Sequence, residues 1–111
     1  MKSVPIELGG KMRNIRYGYN DACEIEALCG KTLMDVYRSG FVGIRAMLWG
    51  GLKWQERGLT PNMVGIWLDE FYEEGGRFDD VNGKVMEALM LSGFMKALTP
   101  EEEEVEGEKN E

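Results

Sequence analysis

From about residue 20 to residue 98 the apolar residues recur every three or four positions, and glycine or proline cuts the rhythm before any segment grows long. A period near 3.6 marks amphipathic helices, so this part of the chain is restricted to several short or medium helices that must pack on one another. The predicted helices cover about residues 21–29, 33–39, 41–57, 61–74 and 80–98. Asn20 or Asp21 can cap the first, and Gly30 is placed to end it in the left-handed conformation. Thr32 can cap the second, which closes near Ser39-Gly40. Thr60-Pro61 is the clearest start signal, a capping hydroxyl followed by proline where a missing N–H costs nothing. Asp79 or Asp80 is the expected cap of the last helix, whose stripe is Val81, Val85, Leu89, Met90, Phe94 and Leu98.

The segment before residue 20 keeps another rhythm. Val4-Pro5-Ile6-Glu7-Leu8 alternates apolar and polar residues up to Gly9-Gly10, and a second run follows from Lys11 to Tyr19. Two such runs around a Gly-Gly pair predict a β-hairpin over about 4–19, since glycine supplies the positive φ of a tight primed turn. The second run departs from strict alternation, which a bulge would accommodate. The fold class expected is therefore α+β and mostly helical, an N-terminal hairpin on about five helices. Residues 1–100 form one globular domain in this reading.

Two faces are legible in the helical part. The third helix should present Ile44, Met47, Leu48 and Leu52 together, with Arg45, Lys53 and Glu56 elsewhere. The fourth should present Met63, Ile66, Trp67 and Phe71. Within the third lies Leu48-Trp49-Gly50-Gly51-Leu52, and each mid-helix glycine costs roughly 1 kcal/mol relative to alanine. A neighbouring helix at close approach, or a kink, would explain them.

The 111 residues, 43% hydrophobic with 3 Trp, 4 Tyr and 4 Phe, suffice for one compact core. The net charge of −7 is unevenly spread: residues 1–100 hold 12 Lys and Arg against 13 Asp and Glu, whereas 101–111 hold one Lys against seven Glu. A nearly neutral body without a basic block argues against nucleic acid as a partner. The glutamate-rich end has nothing to bury and is expected to be a disordered acidic tail. No stretch approaches the ~18 to 20 apolar residues that span a bilayer, and Met1-Lys2-Ser3-Val4-Pro5 leads into no signal-peptide core. These features predict a cytoplasmic protein without a membrane partner. Cys23 and Cys29, six apart on one helix, point about 120° from each other, so buried or half-buried free thiols are expected rather than a disulfide or a metal pair.

The chain has no histidine, which removes every Ser-His, Cys-His and His-metal arrangement and the commonest general base. The glycines before Lys11, Lys31 and Lys84 lack the glycine five positions earlier that a phosphate loop needs; Pro5, Ile25 and Phe78 stand there. Asp79-Asp80-Val81-Asn82-Gly83 resembles the start of a calcium loop, but its twelfth position is Met90 or Leu91 rather than glutamate. Asp69-Glu70 and Glu73-Glu74 read as a solvated helix face. No catalytic residue, metal ligand or cofactor site is expected, and the chain reads as a binding protein rather than an enzyme. Its candidate surface for a partner or for self-association comprises Trp49, Trp54, Met63, Trp67 and Phe71, with core packing the competing role for each. Trp54 stands out because it lies off the apolar stripe. The eight methionines could serve either a receptive surface or a gap-filled core.

In order along the chain come Ile6-Glu7-Leu8-Gly9-Gly10-Lys11, Tyr17-Gly18-Tyr19-Asn20, Glu24-Ile25-Glu26-Ala27-Leu28, Leu48-Trp49-Gly50-Gly51-Leu52 and Gly58-Leu59-Thr60-Pro61. Over about residues 4–96 this order resembles the tail assembly chaperones of long-tailed phages, prophages and gene-transfer particles. The spacing from Leu-Trp-Gly-Gly-Leu to Leu-Thr-Pro is its most telling part. The resemblance implies a protein of the bacterial host cytoplasm that coats the tape-measure protein, keeping it soluble while the tail tube assembles. It implies a homo-oligomer, with the tail tube protein as a further partner, and no active site. Many members of the family are also made in a longer form by a programmed ribosomal frameshift. Glu108-Lys109-Asn110 can be encoded GAA-AAA-AAC, which contains the slippery run A AAA AAC. The alternative function is a small phage regulatory or head-tail connector protein.

Overall fold

The computed structural model describes residues 2–98, with side chains as far as residue 96. The acidic segment 101–111 and the expectation attached to it lie outside the described residues. Within them the fold is the expected α+β arrangement, an antiparallel hairpin β1 (Val4–Leu8) and β2 (Lys11–Ile15) on six helices. The helices are α1 (Tyr19–Cys29), α2 (Leu33–Tyr37), α3 (Gly40–Leu52), α4 (Pro61–Glu73), α5 (Phe78–Ser92) and α6 (Phe94–Leu98).

The hairpin turns at Gly9 and Gly10, both at positive φ, and its register is continuous from Val4↔Ile15 to Leu8↔Lys11. There is no bulge in this ladder. The broken alternation of β2 has another cause: Arg13 takes the inward position opposite Ile6 and is 5% exposed. Its Nε donates to Leu8 O at 2.7 Å, Nη1 donates to Glu56, and the guanidinium stacks 3.7 Å from the Trp67 ring centre. A buried cation is tolerable when its donors are satisfied and an aromatic face covers it. The strand also stops earlier than expected. Beyond Ile15 the Arg16 N–H donates to Gly51 O of α3 rather than to β1.

The centre of the molecule is α3, which meets α1, α2, α4, α5 and β2. Ile44, Met47, Leu48 and Leu52 are all buried, as the spacing predicts. Each such side chain contributes ~1.5–3 kcal/mol when removed from water. The glycine pair has the close-approach explanation: a Cβ at Gly50 would overlap Ile25 of α1, and one at Gly51 would lie 2.6 Å from Ile15 Cγ2 and 3.0 Å from Tyr17. Tyr17 is buried here, its hydroxyl donating to Met47 O at 2.7 Å, and burial raises its pKa.

Several boundaries differ from expectation. α1 begins at Tyr19 with Gly18 as its cap, and Asp21 accepts the Gly18 N–H at 2.8 Å instead of capping from the first position. At α2 the Leu33 N–H is satisfied by Glu26 Oε2 at 2.7 Å rather than by the Thr32 hydroxyl. α3 ends at Leu52, not near Arg57. The following residues are drawn to the hairpin, where Gln55 Oε1 accepts the Asn14 N–H at 2.9 Å and Trp54 Nε1 donates to Asn14 O at 3.0 Å. The last expected helix is two helices, broken at Gly93 with φ 84°, and it starts after Arg77 rather than after Asp79 or Asp80. Its inward residues are Val81, Val85, Ala88 and Leu89, whereas Met90 is exposed. α4 is capped by Thr60, whose hydroxyl accepts the Met63 N–H at 3.2 Å, but its buried residues are Val64 and Leu68. Met63 and Ile66 face outward. Cys23 is exposed and Cys29 half-buried, both free.

Candidate functional site

α3 is buried almost all round, and the exception is a single lane. Exposed Phe41 and Arg45, then half-buried Trp49 and Lys53, follow at spacings of four residues along one ridge, with exposed Val42 beside Phe41. To one side of this lane stands the end of α1, with Leu28 exposed, and to the other the start and middle of α4, with Pro61 and Gly65. Three concavities follow the lane and share lining residues. Trp49, Trp54 and Leu28 line one of about 620 Å³, Leu28, Val42 and Arg45 one of about 320 Å³, and Val42, Arg45 and Tyr72 one of about 360 Å³. Together they make a groove floored by α3 and walled by α1 and α4.

Local sequence explains why the groove stays open. Gly65 leaves no side chain between the α4 wall and Arg45, whose Cδ would be 3.6 Å from a Cβ there. Phe41 rests edge-to-face on Phe78 with ring centres 6.1 Å apart, which fixes one end. At the other end Trp49 Nε1 donates to Leu59 O at 3.0 Å. That bond joins the Leu48-Trp49-Gly50-Gly51-Leu52 segment to the Leu59-Thr60-Pro61 segment, so two stretches separated in sequence form one corner.

The electrostatics of the groove are lopsided. Lys53 hydrogen-bonds Asp21 Oδ1 at 2.7 Å and also pairs with Glu24. Partial burial pulls its pKa down, but the bonds to these two carboxylates outweigh that and hold it above its usual value. Among the described residues, Arg45 and Arg57 have no ion-pair partner, and Lys31 meets only the Ser39 hydroxyl. Asp69 is the one acid on the lining without a pair among the described residues. Tyr72 is half-buried, with its hydroxyl making no hydrogen bond there and its pKa raised by burial.

The five residues singled out in the sequence do not form one surface. Trp49 and Trp54 line the groove, and Trp54 is 37% exposed, as its position off the stripe suggests. Arg16 covers the Trp54 ring at 3.9 Å. Trp67 and Phe71 lie elsewhere, against the Gly9-Gly10 turn with Glu7 and Glu70, under Arg13. Met63 is exposed on α4 and lines none of the three concavities. The residues missed are Leu28, Phe41, Val42 and Arg45. A signal for the last three was present, because Arg45 and Lys53 mark the polar lane of an otherwise apolar helix and Phe41 and Trp49 fall on that lane.

Known protein families, curated proteins and solved structures yield no match to this chain. Its chemistry is therefore read from its own residues. No cluster of three or more potential metal-binding side chains occurs among the described residues, and no helix there is long and apolar enough to cross a membrane.

Proposed function

We propose that this chain is a phage tail assembly chaperone, binding the tape-measure protein in the bacterial cytoplasm and keeping it soluble while the tail tube assembles. The observation that carries the reading is the open apolar groove along α3. Leu28, Val42 and Phe41 are exposed along it, in line with half-buried Trp49, and Phe41 stays 78% exposed although it rests on Phe78. A chain that must hold long apolar helices apart from one another needs such a surface. The order of motifs supports the same reading, since the two most telling segments meet at the Trp49 to Leu59 bond.

Co-expression provides the test. The gene should lie between those of the tail tube and the tape measure, and the tape-measure protein should be markedly more soluble when this chain is present. Equal insolubility with and without it rejects the chaperone role. A longer frameshifted product belongs to the same proposal, and a gene spelling Glu108-Lys109-Asn110 as GAG-AAG-AAT removes it.

A further inference from the structure

The α3 groove also has a charge preference that names the chemistry of what it takes. Its α3 floor from Phe41 to Leu52 is about 17 Å long at the helical rise, which a partner helix of about 14 residues spans in full. The floor lane follows an i, i+4 ridge, the geometry into which a second helix packs its own ridge. Its walls leave room because Pro61 and Gly65 are small. The lining carries Lys31, Arg45, Lys53 and Arg57 against Glu24 and Asp69; Lys53 is tied to Glu24 and to Asp21 beside it, so Lys31, Arg45 and Arg57 are the lining cations that no carboxylate engages among the described residues.

We infer that this groove binds an amphipathic helix whose apolar stripe is flanked by carboxylates, with Arg45 at mid-groove as the residue that selects the flanks. An apolar stripe seats on Leu28, Val42 and Trp49, and the flanking acids reach Arg45, Lys31 and Arg57. Selection then resides in the rim charges and affinity in the apolar floor. The inference rests on the groove being the binding surface of the proposed function, but it concerns the partner's charge rather than its identity.

The test uses the full chain and two synthetic helical peptides of about 14 residues, both with leucine at alternating three- and four-residue spacing. One carries glutamate on its flanks and the other lysine. Because the protein's net charge is −7, unspecific attraction favours the lysine peptide. A preference for the glutamate peptide must therefore come from the groove. The expected result by calorimetry is about tenfold tighter binding of the glutamate peptide at low salt, narrowing as salt is added. Arg45→Glu should reverse the order of the two peptides, and Val42→Asp should weaken both. Arg45 and Val42 are exposed, so both variants should unfold at unchanged denaturant midpoints.

Equal binding of the two peptides, or an order that survives Arg45→Glu, overturns the inference. So does failure of both peptides to bind while Arg45→Glu abolishes self-association in gel filtration, which would assign the groove to a second copy of this chain. If the glutamate peptide is preferred but the tape-measure protein is not made soluble, the groove chemistry holds and the chaperone reading falls. If the tape measure is solubilised without any charge preference, the reverse is true.

Discussion

The hairpin side and the α3 groove treat their large apolar residues in opposite ways. On the hairpin side two tryptophans each have an arginine over the ring: Arg13 covers half-buried Trp67, Arg16 covers Trp54. One outward position on each strand edge is closed as well. Asn14 on β2 is occupied by Gln55 and Trp54, and Pro5 on β1 stands opposite Asn14, where its missing N–H would point outward. At these two positions the hairpin offers nothing to a strand-adding partner. Trp54 stands where the two regions meet; further along the groove Lys53 lies 5.7 Å from the Trp49 ring centre, and exposed Phe41, Val42 and Leu28 have no cation over them among the described residues. A tryptophan is thus no better guide to a contact surface than a phenylalanine. What matters is whether a neighbour with satisfied bonds already covers it.

The largest change expected concerns what both regions depend on, the close packing of α3. A Cβ at Gly43 would run into the backbone carbonyl of Val36, which cannot move aside as a side chain can. Gly43→Ala should cost about 3 kcal/mol in urea unfolding and disturb hairpin side and groove together. Arg13→Met should cost about 2 kcal/mol, leaving Glu56 and the Leu8 carbonyl without their donor while keeping much of the cover on Trp67. Arg13→Lys should not restore the loss, because an ammonium cannot donate in three directions from a plane. Peptide binding to the groove should survive both Arg13 variants in the folded fraction; if it disappears, the two regions are not independent.

A smaller effect separates the regions by pH. Glu56 is held below its usual value of 4.5, first by its bond to Arg13 and then by the charge of Lys11. A lowered carboxylate stabilises the fold above its unfolded pKa, and that contribution fades as pH falls through and below 4.5. Lys53 is raised above 10.5, so its contribution is complete below that value and is lost only as pH rises beyond it. The bond between Glu56 and Arg13 should therefore survive acidification to pH 4.5, visible by NMR as Arg13 side-chain signals that stay protected from exchange there. Loss of that protection above pH 4.5 would contradict the assignment. The smallest change is at Val42, where replacement by serine should alter stability by no more than about 0.5 kcal/mol while weakening peptide binding.

Some features needed only neighbouring residues. Gly9-Gly10, Gly30 and Thr60-Pro61 each act through backbone conformation or a bond within three residues, and each turn or helix end is where those residues place it. The α3 core stripe of Ile44, Met47, Leu48 and Leu52 was legible because the helical period alone brings those four residues together. Gly93 was equally local, yet the apolar spacing on both sides of it concealed the break.

The rest required distant contacts. Met63, Val64, Ile66, Trp67, Leu68, Phe71 and Tyr72 make α4 apolar on nearly every face, and periodicity cannot choose among faces that are all apolar. Packing against α3 and β1 chose Val64 and Leu68 and left Met63 and Ile66 outside. The early end of α3 depended on Asn14, some forty positions away, whose backbone bonds Trp54 and Gln55. The sequence by itself determined a glycine-punctuated helical chain behind a hairpin, because turns, caps and the helical period are local. Only the tertiary structure decided which aromatics are covered and which lane of α3 stays open, because cover comes from residues far away in the chain.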